Sequence, residues 1–238
     1  MKKVAILQSN YIPWKGYFDI ISYVDEFVIF DDVQYTKNDW RNRNQIKIQN
    51  GLKWLSIPVH YSYKGIDTQN INETEVKNFD WTIDHLNNIK QAYKKSPYYN
   101  EILNIIEPIY LGKLPTNLSK INKIFIDLVC DYLGINTRIT NSCDYSKSND
   151  KTIRLLDICI QLGATHYVSG PAAKSYLDES LFLNKGIQVE WFDYKGYTEY
   201  PQLHGDFVHN VSIIDLLFNT GKESKKYMLF TDFNLLRG

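Results

Sequence analysis

The chain has 238 residues, long enough for one large α/β domain with an ample core. Its 27 Lys and Arg offset 27 Asp and Glu, so no global field draws it to nucleic acid or to a membrane surface. No apolar run approaches the roughly 18–20 residues that a bilayer span requires, and Cys130, Cys143 and Cys159 share no CxxC spacing, which reads as reduced thiols in a cytosolic protein.

The opening MKKVAILQ has an apolar part too short for a signal peptide and reads as a first strand, 3–8. It leaves through the loop QSNYIPWKGY (8–17) into a helix at 17–24 and a second strand at 26–31. Gln8, Asn10 and Tyr11 offer amide and hydroxyl groups, Lys15 offers charge, and Trp14 and Tyr17 stand beside them. These are recognition groups rather than core groups. The second strand ends in Asp31-Asp32, and adjacent carboxylates at the C-terminal end of a strand suit Mg²⁺ or Mn²⁺ bridging a diphosphate. The alternative is one capping Asp and one solvated Asp. Gln34 follows in the same run, and then Trp40, Arg41, Asn42, Arg43 and Asn44 place two guanidinium groups, two amides and an indole within five residues. That set suits the phosphates and base of a nucleotide-linked substrate; the alternative is a solvated basic turn.

IKIQNGLKWLSIPV (46–59) reads as a β-hairpin turning at Asn50-Gly51, the preferred type I′ dipeptide. The polar stretch 61–77 is expected to be mobile. Helices follow at 80–95, 98–110 and 116–133, punctuated by Pro97, Pro108 and Pro115. Strands at 136–140, 165–168 and 187–192 then alternate with helices at 152–162 and 172–184. The fold expected is α/β, a doubly wound, mostly parallel sheet with a β-hairpin and helical insertion at about 46–133, all in a single domain, 1–238. Ser169-Gly170 ends the 165–168 strand with Pro171 at a first helical position. The 8–17 loop and the 169–174 turn are therefore expected at the same edge of one sheet, feeding one crevice.

None of the five histidines has metal-ligand spacing. His60, after SIPV, and His204, in a polar loop near Asp206, are the candidate general bases, although a single His is more often structural. Tyr200 and Gln202 belong to the same loop, which closes on a helix capped by Asn210 or Ser212. Asp215 lies on that helix among apolar residues, where a carboxylate must be paired or chemically active. There is no GxSxG, Walker A or Rossmann glycine fingerprint.

QSNYIPWKGYFDII, DDVQYTKNDWRNRNQIK with NGLKWLSIPV, ATHYVSGPAAKSYLD and YPQLHGDFVHNVSIIDLLFNTG together, and in that order, resemble the WbqC-like family over roughly residues 3–221. Ser9 departs from the Pro of the family's QPNYLPW form. The resemblance implies bacterial surface-polysaccharide biosynthesis, particularly O-antigen and lipopolysaccharide, and a cytoplasmic enzyme acting on nucleotide-activated sugars. It assigns no catalytic residue. The expected function is a transferase modifying a nucleotide-linked sugar, first as N-acyl or aminoacyl transfer from an acyl or aminoacyl donor to an amino sugar. A glycosyltransferase using a nucleotide-sugar donor, favoured if Asp31-Asp32 binds a divalent metal, and a non-catalytic sugar-nucleotide binding protein are the rivals. The opening also looks like that of nucleotidylyltransferases, with Trp14 and Tyr17 in place of both histidines of their HxGH turn.

Overall fold

A computed structural model describes residues 1–61, 63–64 and 67–229. Five strands, β1 (Lys3–Leu7), β2 (Glu26–Ile29), β7 (Arg138–Asn141), β8 (His166–Ser169) and β9 (Gln188–Trp191), form one sheet in the order β7-β2-β1-β8-β9. Every pairing in it is parallel, with Val4 opposite Glu26 and Lys3 opposite His166. The expected mostly parallel sheet is thus parallel throughout. Burial on both faces explains the near-continuous apolar strands. Along β1 the pleat sends Ala5 into the larger core, with Phe27, Ile29 and Val168, and sends Val4 and Ile6 into the second core, with Val28 and Tyr167.

Helix α1 (Lys15–Tyr23) joins β1 to β2, α5 (Ile153–Gln161) joins β7 to β8, and α6 (Glu179–Leu183) joins β8 to β9. Between β2 and β7 lie the hairpin β3 (Arg43–Ile48) and β4 (Gly51–Ser56), the short antiparallel pair β5 (Tyr63–Lys64) and β6 (Asp67–Thr68), and helices α2 (Asp80–Tyr93), α3 (Tyr99–Leu111) and α4 (Leu118–Leu133). Helix α7 (Ile213–Thr220) completes the larger core with Ile213, Leu216 and Phe218. Its N-cap is Ser212, whose hydroxyl accepts from the Ile214 N–H.

Two local expectations are corrected. Ile48 pairs with Gly51, so the two-residue turn is Gln49-Asn50, one position earlier than the expected Asn50-Gly51. Gly51 takes the left-handed φ of +114° while Gln49 and Asn50 do not, so the turn is not type I′. The helix expected at 172–184 is broken into a 3₁₀ turn, Pro171–Ser175, and α6. Leu177 is buried between them and Asp178 starts a new helix by accepting from the Ser180 N–H at 3.0 Å. Of the 61–77 stretch, residues 62, 65 and 66 lie outside the described residues. Further along it, Asn70 and Glu73 cap a 3₁₀ turn reciprocally over buried Ile71. Among the described residues, no helix is long and apolar enough to cross a membrane.

Candidate functional site

In a doubly wound sheet, adjacent strands whose connections depart to opposite sides leave a crevice beyond their C-terminal ends. Here those strands are β1 and β8, and the crevice is a cleft of about 860 Å³. Its floor is apolar, built from Ile6, Phe30, Leu155 and Tyr167, and its walls carry Gln8, Asn10, Asp32, Gln34, Arg41, Ser169 and Gly170. The first loop and the 169–174 turn therefore meet at one edge. The walls also carry Asn70, Asn149, Lys151, Arg154 and Tyr176, none of which was singled out from the sequence.

Positive charge dominates these walls. Arg154 sits in the first turn of α5, where its Nη2 donates to the Asn149 carbonyl at 2.9 Å and its Nε–H is buried with no partner. Neither Lys151 nor Arg154 forms an ion pair among the described residues. Arg41 hydrogen-bonds to the Asn10 side chain and to the Ser9 carbonyl, and lies 3.5 Å from Asp39. The facing carboxylate, Asp32, is held 2.5 Å from Lys147 Nζ and accepts from the Ser142 hydroxyl. The first backbone N–H groups of α5 are already taken by Asp150, which accepts from Thr152 and Ile153, so an anion in the cleft would meet side-chain cations.

Asp31, beside Asp32 in sequence, points elsewhere. Its carboxylate accepts from the Ser9 N–H (2.8 Å), the Ser9 hydroxyl (2.6 Å) and the Ser119 hydroxyl. Burial raises its pKa, against the lowering effect of those bonds and of the Arg41 charge. With its oxygens engaged inside the protein, Asp31 does not fit the shared Mg²⁺ or Mn²⁺ ligation expected with Asp32. Among the described residues no three His, Cys, Asp or Glu side chains converge as a metal site. Instead, Asp31 ties the first loop to α4 and sets Ser9, whose carbonyl receives Arg41.

Other residues singled out from the sequence lie outside the cleft lining. Tyr11 is fully buried, its hydroxyl 2.9 Å from His85 Nδ1 and 2.6 Å from the Tyr110 hydroxyl. Tyr17 donates to the Gln8 carbonyl at 3.1 Å. Asn44 donates to the Tyr11 and Ile12 carbonyls and Asn42 to the Ile57 carbonyl, so both amides secure the loop and hairpin. Trp14 packs on Tyr194 and Tyr197, at centroid distances of 5.3 and 5.6 Å. Lys15 lies over the Tyr197 ring at 4.5 Å, and burial lowers its pKa to about 8, against the raising effect of Asp19. Arg43 stacks on Trp54 at 4.2 Å, and Trp40 lies beside the same indole.

A third group surrounds Asp215. Its carboxylate accepts from Tyr93 (2.9 Å), Tyr200 (2.7 Å) and the Gln202 amide (2.7 Å), while Lys47 Nζ reaches the Gln202 side-chain oxygen at 2.9 Å. The buried charge is thereby satisfied within the core. His204 has a left-handed φ of +71° and its Nε2 lies 2.7 Å from the Ala92 carbonyl, so it serves the C-terminal end of α2. His60 is exposed, and neither histidine lines the cleft.

A family model described as the WbqC-like protein family matches residues 8–227. The chain is also 51% identical over 230 residues to an uncharacterized protein of Mycobacterium tuberculosis (strain ATCC 25618 / H37Rv), covering 97% of this chain and 99% of that one. No solved structure matches it.

Proposed function

This chain belongs to the WbqC-like protein family, and from that premise we propose that it is a cytosolic transferase acting on a nucleotide-linked sugar in bacterial surface-polysaccharide biosynthesis. The observation that carries the reading is the cationic and amide-rich wall of the β1/β8 cleft. Arg154, Lys151 and Arg41 are suited to a diphosphate, and Gln8, Asn10, Gln34, Asn70 and Asn149 to sugar hydroxyls. The first reaction to test is N-acyl or aminoacyl transfer to an amino sugar. The amine nitrogen then attacks the acyl carbonyl, the donor's leaving group departs, and the amine gives up a proton. Asp32 is the carboxylate among the cleft-lining residues, and to receive that proton it would exchange its Lys147 and Ser142 partners for the amine. The glycosyl-transfer rival loses the support that a cation shared by Asp31 and Asp32 would lend it, because the Asp31 oxygens are already taken by Ser9 and Ser119.

The test is a thermal-shift screen of nucleotides and nucleotide-linked amino sugars, followed by mass spectrometry of each stabilising ligand incubated with acyl and aminoacyl donors. A ligand at 100 times its dissociation constant stabilises the fold by about 2.7 kcal/mol. Stabilisation that Arg154→Ala diminishes, together with a product heavier by the acyl group, is expected. Stabilisation without product under any donor would leave a binding protein, and no stabilisation at all would overturn the reading.

A further inference from the structure

Outside the cleft, the protein exposes a pair of indoles. Trp40 and Trp54 are 41% and 40% exposed, with ring centroids 5.4 Å apart and planes inclined by 39°. Trp54 stands on β4 and Trp40 on the segment leading into β3, so the hairpin holds the two rings together. Their placement is fixed from beneath. Arg43 stacks on Trp54 at 4.2 Å and donates to the Asn38 carbonyl, while the Trp40 carbonyl accepts from the Tyr11 N–H at 3.1 Å.

We propose that the Trp40–Trp54 pair is a binding platform for the pyranose rings of a glycan, a site separate from the nucleotide-binding cleft. A pyranose presents a C–H face that packs on an aromatic ring, and an edge of hydroxyls that needs polar partners. The indoles supply the first, and Asp39, which accepts from the Trp40 backbone N–H at 2.7 Å, and Asn38 beside it supply the second. A protein partner would call for a contiguous apolar patch of several hundred Å². Here the only further exposed large apolar side chain on β4 is Leu52. A nucleic acid would call for clustered cations, and the rim instead mixes Arg43 with Asp39. Rings already held in place bind with little loss of side-chain freedom. Trp40 directly precedes Arg41 of the cleft wall, so a saccharide on the platform lies along the same segment of chain as the proposed substrate.

The test applies the protein, its Trp40→Ala and Trp54→Ala variants, and Arg154→Ala to an array of bacterial surface oligosaccharides, with affinities then measured by isothermal titration calorimetry. Binding of at least one pyranose oligosaccharide is expected, weakened at least about tenfold in each tryptophan variant and unchanged in Arg154→Ala. Both indoles are exposed, so the variants are expected to fold as the parent does, checked by their melting temperatures. No glycan bound by the parent, glycan binding unchanged in both tryptophan variants, or self-association that Trp54→Ala abolishes would each overturn the proposal. Loss of nucleotide-sugar binding in Arg154→Ala reports on the cleft alone, so the two readings fail separately.

Discussion

Two arginines separated by one residue have different fates, and their substitution separates recognition from packing. Arg41→Ala and Arg154→Ala are each expected to weaken nucleotide-sugar binding by about 1.5–3 kcal/mol, the range for a charge-assisted hydrogen bond. Arg43→Ala is expected to leave it unchanged, because that guanidinium covers Trp54. Isothermal titration calorimetry of the three variants checks both statements, and equal losses at Arg43 and Arg41 would contradict them. A second residue-scale consequence concerns His85, whose pKa burial lowers to about 4, against an ordinary 6.5. The unfolded chain binds that proton first, so this residue's contribution to stability falls as pH drops through 6.5 and levels off near 4. It amounts to about 2 kcal/mol between pH 7 and 4.5. Asp31 and Asp215, whose pKa values burial raises, act in the opposite direction, because the folded chain holds their protons between the ordinary carboxylate pKa and the raised values; that contribution is present at low pH and is lost as pH rises through the raised values. His85→Gln should therefore flatten the urea-denaturation stability profile between those pH values, and an unchanged slope would contradict the assignment.

The central strands β1, β2 and β8 could be read from the sequence because each is a short run buried on both faces, whereas the edge strands β7 and β9 are half-buried or exposed; the helices could be read because their periodicity is strong. The break at Tyr176 was harder to see, since Leu177 and Phe182 continue an apolar pattern across it and only Asp178 marks the restart. The cleft's first wall could be read from the polar loop after β1. Lys151 and Arg154 could have been found by the same logic, because the SND stretch before α5 follows another parallel strand and must reach the same edge. The histidines misled because a polar neighbourhood in sequence does not reveal which carbonyl a ring faces; His204 faces Ala92. At the start of α1, Gly16 packs directly against the Trp14 indole, and an added Cβ would overlap it. Gly16→Ala should therefore destabilise the protein by about 1–3 kcal/mol, although alanine is the better helix former by about 1 kcal/mol. A gain in melting temperature would show that Trp14 moves aside freely from Tyr194 and Tyr197.

Across the whole molecule, function depends on which strands become neighbours, and that order was not legible from local pattern. Placing β8 against β1 brings residues near positions 8, 41, 154 and 170 around one space, although β2 to β7 and α1 to α5 intervene in the chain. The hydrogen bonds of Asp31 to Ser9 and Ser119 then fasten that space to the helices on the larger core. The same assembly buries Asp215 and Lys15 and leaves His204 half-exposed on the Ala92 carbonyl, all outside the cleft lining, so the proposed chemistry is assigned to the β1/β8 edge. The most direct measurement is a crystal structure with the most strongly stabilising nucleotide-linked sugar bound. The diphosphate is predicted within hydrogen-bonding distance of Arg154 and Lys151, with the sugar toward Gln8, Asn10 and Arg41; a ligand seated elsewhere, with the β1/β8 cleft empty, would contradict the account.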